Sequence, residues 1–257
     1  MAKPVIIEFA GVSCSGKSTA FSSIFNKPTQ SNVSSAETVL KTYYVSIAKK
    51  LFFINITTPS PIFKALVLVW VHLMNVLRYH KFYGHCIVVI LQGDDKLKAC
   101  NSFFFKVGKC LLLRQINQGV TLIDEGIIQL LFSLFVRSAD NINNTENALH
   151  KIIEHAPLPD EVIFGPIEPI DMIINRMIKR GHHRVTSDLY TSDELKNRVE
   201  TFTVDCINLQ IELIKHLNGR LTIHTLDNVD HWGMAIERFR HKNDDIQPTP
   251  CCNALAG

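Results

Sequence analysis

The chain has 257 residues, enough for one sizeable α/β domain without requiring two. Its charge is close to balance, +3 with histidines neutral, which gives no sign of a general polyanion binder, so the basic residues that matter are expected to be local and no specific nucleic-acid partner is expected. Seven cysteines, at 14, 86, 100, 110, 206, 251 and 252, form no C-x-x-C pair and no zinc spacing, and read as reduced thiols of a cytoplasmic protein.

The run Val5-Ile6-Ile7-Glu8-Phe9-Ala10 predicts a buried first strand, and it is too short, and interrupted by Glu8, for a secretory h-region. Directly after it stands Gly11-Val12-Ser13-Cys14-Ser15-Gly16-Lys17-Ser18, which fits the phosphate-binding P-loop pattern G-x-x-x-x-G-K-[ST] in the strand-then-helix context that the pattern requires. Two glycines let the backbone curl so that successive N–H groups point into one anion site, and the following helix adds the positive end of its dipole. Gly11, Ser13, Cys14, Ser15, Gly16, Lys17, Ser18 and Thr19 are the expected nucleotide-binding residues. Lys17 is placed to reach the β- and γ-phosphates, and the Ser18 hydroxyl to hold Mg²⁺. Cys14 reads as a tolerated small residue whose thiol the helix start and Lys17 make more acidic, hence sensitive to oxidation.

A helix from Ser18 to Phe25 is expected to end at Asn26-Lys27-Pro28, followed by a polar connection, Thr29 to Ser34. Ala36, Val39, Leu40, Tyr43, Tyr44, Ile47, Ala48 and Leu51 fall at helical spacing, with Ser34 and Glu37 as a capping box. Pro59 and Pro61 open the most apolar stretch, Ile62 to Leu77, which is shorter than the ~20 residues that span a bilayer. It is expected as a helix buried within the protein, with membrane or partner contact as the minor alternative. Ile87 to Leu91 is a strand or a helix end, which periodicity does not decide. Gly93-Asp94-Asp95 starts a helix with Leu97, Cys100, Phe103, Phe104, Val107 and Leu111 on one side, running to Gln118 and stopped by Gly119. Residues 35 to 118 thus form a large helical insert.

Val120 to Ile123 reads as a buried strand ending in Asp124-Glu125-Gly126, with an apolar helix, Ile127 to Val136, and a more polar one, Asn143 to His155, after it. Another strand, Glu161 to Gly165, leads to a helix from Ile170 to Lys179 and a loop from His182 to Tyr190. Thr191 and Glu194 cap a long helix to about Leu217; Leu221 to His224 is the last strand and Val229 to Arg240 the last helix. The tail from Lys242 shows no periodicity and is expected to be disordered. Strands alternating with helical crossovers predict an α/β fold, a parallel sheet covered on both faces, in one domain over 1–241.

An apolar run ending in Asp124 has the form of a Walker B element, whose carboxylate would complete the Mg²⁺ shell begun by Ser18. Glu125 stands as a general base, a contact to the acceptor, or simply a helix-start charge. Arg176, Lys179, Arg180, His182, His183 and Arg184 crowd a helix end running into a loop. That is where cations favour a helix C-terminus, and it is also how a lid with phosphate-clamping arginines, Arg180 and Arg184, would be written.

Together the loop after strand one, the segment INQGVTLIDEG, the unit RMIKRGHHR and the terminal strand and helix resemble the nucleoside-monophosphate kinases, thymidylate kinases most nearly, over roughly residues 3–27 and 95–241. The resemblance implies a three-layer P-loop NTPase fold, ATP as phosphoryl donor with Mg²⁺, and a lid helix ending at Arg180-Gly181. The chain departs from thymidylate kinases in carrying Glu125-Gly126 where they have Arg-Tyr. It also lacks an Arg-Glu-Pro element, since no arginine precedes Arg78. The expected activity is ATP-dependent phosphoryl transfer to a nucleotide, nucleoside or other small metabolite, with Lys17, Asp124, Glu125, Arg180 and Arg184 as catalytic residues. The alternative is a nucleotide-dependent ATPase or switch that binds a partner through the helical insert. A homodimer is compatible with either.

Overall fold

The computed structural model describes residues 5–12, 16–17, 21, 33–52, 57–93, 95–116, 119–136, 145–179 and 192–226. Five strands form one sheet: β1 (Val5–Ala10), β2 (Val33–Ser35), β3 (Val120–Ile123), β4 (Glu161–Phe164) and β5 (Thr222–Thr225). Every pairing is parallel and the order is β2-β3-β1-β4-β5. The helices are α1 (Ala36–Phe52), α2 (Pro61–Asn75), α3 (His80–Gln92), α4 (Lys96–Ile116), α5 (Ile127–Phe135), α6 (Thr145–His155), α7 (Ile170–Lys179) and α8 (Ser192–Leu217). This is an α/β fold, a parallel sheet flanked by helices.

Alternation along β1 sorts its side chains into two cores, as a pleated strand must. Ile6 and Ala10 join the larger one, built with α3, α4, α5 and α8. Ile7 and Phe9 join the smaller one on the other face, with Val33, Val120, Leu122, Ile163 and Leu226. Phe21 packs edge-on against Phe9 there, ring centroids 5.6 Å apart.

Three expectations need correction, and one open alternative is settled. Val33 and Ser34, expected in a polar connection, and Ser35, expected at the start of the helical insert, form the edge strand β2, paired with β3 from Val33↔Val120 to Ser35↔Leu122. Only Val33 of its three residues is apolar, so the strand has no alternation to announce it. The cap of α1 is Ser35, the last residue of β2 and the one directly before the helix, whose Oγ accepts the Thr38 N–H at 3.1 Å, rather than Ser34 one residue earlier. Ile87 to Leu91, left open between strand and helix, belongs to α3. The apolar stretch Ile62 to Leu77 is not buried on all sides: α2 buries Leu68, Val71 and Asn75 but exposes Ile62, Leu66, Trp70 and Leu73.

Other boundaries fall close to expectation. Ser60 accepts the Phe63 N–H at 3.2 Å and Pro61 opens α2, the position where its missing N–H costs nothing. The helices expected at Ser18–Phe25 and Val229–Arg240, the Thr191 cap and the tail from Lys242 lie wholly or largely outside the described residues.

Candidate functional site

The order of the strands directs attention to one crevice. From β1 the chain goes on to β2, beyond β3, whereas from β3 it crosses past β1 to β4. Adjacent strands whose connections leave in opposite directions open a gap between their carboxyl ends, which is where parallel sheets bind ligands. Gly11 and Val12 follow β1 into that gap, and Asp124 and Glu125 follow β3. The register Glu8↔Ile123 sets Asp124 beside the last residues of β1.

The loop after β1 needs its glycines. Gly11 has φ +133° and Gly16 φ +83°, both in the region that side chains avoid. A Cβ on Gly11 would also lie 2.9 Å from Gln210 Oε1 and 3.3 Å from the Gly165 amide nitrogen. Gln210, buried on α8, donates to the Gly165 carbonyl at 3.0 Å, and the Gly165 N–H donates to Ala10 O at 3.0 Å, so the loop starts against a fixed wall. Lys17 folds back over the loop: its Nζ donates to Gly11 O at 2.8 Å and Val12 O at 2.9 Å, and the residue is only 9% exposed. A shielded ammonium held above a glycine turn is suited to a phosphate-type anion, because partial desolvation strengthens its attraction.

Asp124 is half-buried at the mouth of the crevice, and Glu125 beside it is exposed. Glu125 Oε2 pairs with Lys106 Nζ at 3.2 Å, and Lys106, buried on α4, also donates to Ser133 Oγ at 3.4 Å. A single cation thus ties the insert to the start of the β3–α5 segment.

Beneath them lies a group that the sequence reading used only as an interruption. Glu8 is fully buried in β1 and accepts hydrogen bonds from the N–H groups of Gly126 (3.1 Å), Ile128 (3.0 Å) and Gln129 (2.7 Å). It does for α5, from another strand, what an N-cap side chain does locally, and it meets the positive end of the helix dipole. Burial nevertheless pushes its carboxyl up to about 7, against the lowering effect of those three amides and of Lys106. The folded protein therefore takes a proton at about 7 that the unfolded chain takes near 4.5. Folding takes up a proton between those values, so this contribution is fully present below the unfolded value and is lost as pH rises through the folded one, about 3 kcal/mol in all. Glu8→Gln should remove that slope: the difference in unfolding free energy between wild type and variant, measured by urea denaturation, changes between about pH 4 and 8. A constant difference would contradict it.

The remaining expected residues are distributed as follows. Ser13, Cys14, Ser15, Ser18 and Thr19, and on the lid side Arg180, His182, His183 and Arg184, lie outside the described residues. Arg176 is bonded to Glu168, with Nη2 to Oε1 at 3.1 Å, so its guanidinium is engaged within the β4–α7 segment. Lys179 ends α7, exposed. Lys106 was legible as the lone charge in Phe103-Phe104-Phe105-Lys106-Val107, and Glu8 as the lone charge of β1.

An open cleft of about 680 Å³, lined by Tyr79, Arg114, Asp160, Arg220 and Thr222 among others, opens at the amino ends of the strands. It is at the opposite end of the sheet from Gly11 and Asp124 and takes no part in this site. Compared with known protein families and with curated proteins, the chain matches none.

Proposed function

We propose that the chain is a P-loop phosphotransferase, using Mg²⁺-ATP to phosphorylate a nucleotide, nucleoside or other small metabolite. The observation that carries the reading is the shielded Lys17 over the glycine turn of β1, with Asp124 at the end of the neighbouring strand. In this reading the loop amides cradle the donor phosphates. Lys17 exchanges its carbonyl partners for phosphate oxygens, stabilising the charge that develops on the migrating group.

Asp124 suits a hard cation: it is a carboxylate at the crevice mouth, and with the Ser18 hydroxyl it would hold Mg²⁺. A Mg²⁺ held there would supply charge neutralisation to the donor phosphates. Glu125, braced by Lys106, stands on the insert side of the crevice, where it can receive the acceptor's proton or hold the acceptor. Arg180 and Arg184 are assigned as the clamp from the sequence alone.

The second reading, a nucleotide-dependent switch that docks through its insert, draws support from the outward apolar face of α2. Transfer of γ-labelled phosphate from ATP to a panel of nucleosides, nucleotides and metabolites, separated by chromatography, distinguishes the two. Labelling of one acceptor class supports the phosphotransferase. Label recovered only as inorganic phosphate whatever is added supports the switch and rejects the transferase.

A further inference from the structure

Helix α2 is apolar on both sides: it buries Leu68 and Val71 and also turns a row of apolar side chains outward. A surface helix turns its polar side to water and its apolar side to the core. Here the side turned to the core carries His72, whose ring nitrogens meet the Tyr83 hydroxyl at 2.6 Å and the Phe104 carbonyl at 2.8 Å, and buried Asn75, bonded to the Val71 carbonyl. The side turned outward carries Ile62, Leu66, Trp70 and Leu73, and Leu77 prolongs the line just past the helix end. At 100° per residue these five positions fall within about one quarter of the circumference, and they run for about 22 Å. All are strongly exposed, from 62% at Leu66 to 84% at Leu77. Helix α3 continues with exposed Ile87, Val88 and Leu91. An unbroken apolar stripe of that length on a surface is a binding face.

Charge decides what it binds. From Thr38 to Gly93 the sequence contains no Asp or Glu, but it contains Lys41, Lys49, Lys50, Lys64, Arg78 and Lys81. Across 35–118 there are eleven Lys and Arg against three Asp and Glu, while the whole chain is only +3. Two copies meeting through this region would set like charges against each other. An anionic bilayer complements both features: acyl chains receive the stripe, anionic headgroups suit the exposed Arg78 and Lys81 that follow it in the chain and the cationic excess of the insert, and a tryptophan such as Trp70 prefers the boundary between them. Among the described residues no single helix is long and apolar enough to cross a membrane, and α2 and α3 meet at a bend of 119°. Close packing of Leu68 and His72 over Gly108 keeps α2 on α4, so the contact is peripheral, with α2 lying in the interface plane.

We propose that the outward face of α2 is a peripheral docking surface for anionic lipid bilayers. The test uses the full chain and vesicles of phosphatidylcholine with or without about one-third phosphatidylserine. The unmodified protein should sediment with the anionic vesicles, at least tenfold less with the neutral ones, and less as salt is raised. With Trp232→Phe leaving Trp70 as the sole tryptophan, its emission should shift to the blue when the anionic vesicles are added. Leu66→Asp with Leu73→Asp, both on solvent-facing positions, should abolish sedimentation while leaving the helical circular dichroism unchanged. The proposal is overturned if the folded protein ignores anionic vesicles, or if the double variant binds them as well as wild type. It is equally overturned if Trp70 becomes shielded without vesicles as concentration rises and a dimer elutes on gel filtration, which would assign the stripe to a second copy of the chain.

Discussion

Lys17→Ala should lower ADP release from Mg²⁺-ATP about a hundredfold, roughly the 3 kcal/mol that one preorganised charge contributes to a transition state in a shielded site. The side chain is nearly out of water, and its Nζ is within 2.9 Å of two loop carbonyls, so it is already oriented before a phosphate arrives. On the proposed function, removing it would take away an interaction that strengthens as charge develops, so the loss should appear in kcat more than in KM. The fold should survive, because the strand and core packing around Ile7 and Phe9 do not involve this ammonium. The measurement is steady-state ADP release beside circular dichroism. Turnover within threefold of wild type, on a folded variant, would remove Lys17 from the chemistry.

Gly126→Ala should cost about 3 kcal/mol of stability, although it adds a single methyl group. A Cβ at this position would press into the Glu8 carboxyl, 2.7 Å from its Cδ. Glu8 is fully buried and fastened to three amides of the β3–α5 segment, so it cannot move aside without leaving those donors unsatisfied. Urea unfolding measures the cost. A second variant, Glu8→Ala, isolates its origin: on that background the added methyl has room, and the two substitutions together should cost clearly less than their sum. Full additivity would place the strain elsewhere.

These two residues also show what a sequence discloses. The alternation of β1, the glycine and lysine spacing after it, and the apolar run ending at Asp124 are local patterns, and the structure sets them at adjoining strand ends. The parallel α/β architecture followed from strands alternating with helices of sufficient length to cross over. What stayed hidden depends on partners distant in the chain. Glu8 looks like a flaw in an apolar strand until Gly126, Ile128 and Gln129 are brought to it across more than a hundred residues. Lys106 is a stray charge in a phenylalanine run until Glu125 and Ser133 meet it. Strand β2 has three residues and takes its identity from β3 alone. For α2 the sequence shows the apolar content and not its direction, because composition cannot say which side of a helix the neighbouring α4 will cover.

If the crevice between β1 and β3 holds a nucleoside triphosphate by its phosphates, as proposed, calorimetric titration with ATP detects it. Such a crevice should show one site that needs Mg²⁺ for full affinity, loses at least tenfold with Asp124→Asn, and weakens measurably, without vanishing, with Lys17→Ala. Folded protein that gives no heat with Mg²⁺-ATP, or binds it equally well without Lys17, would contradict the proposal.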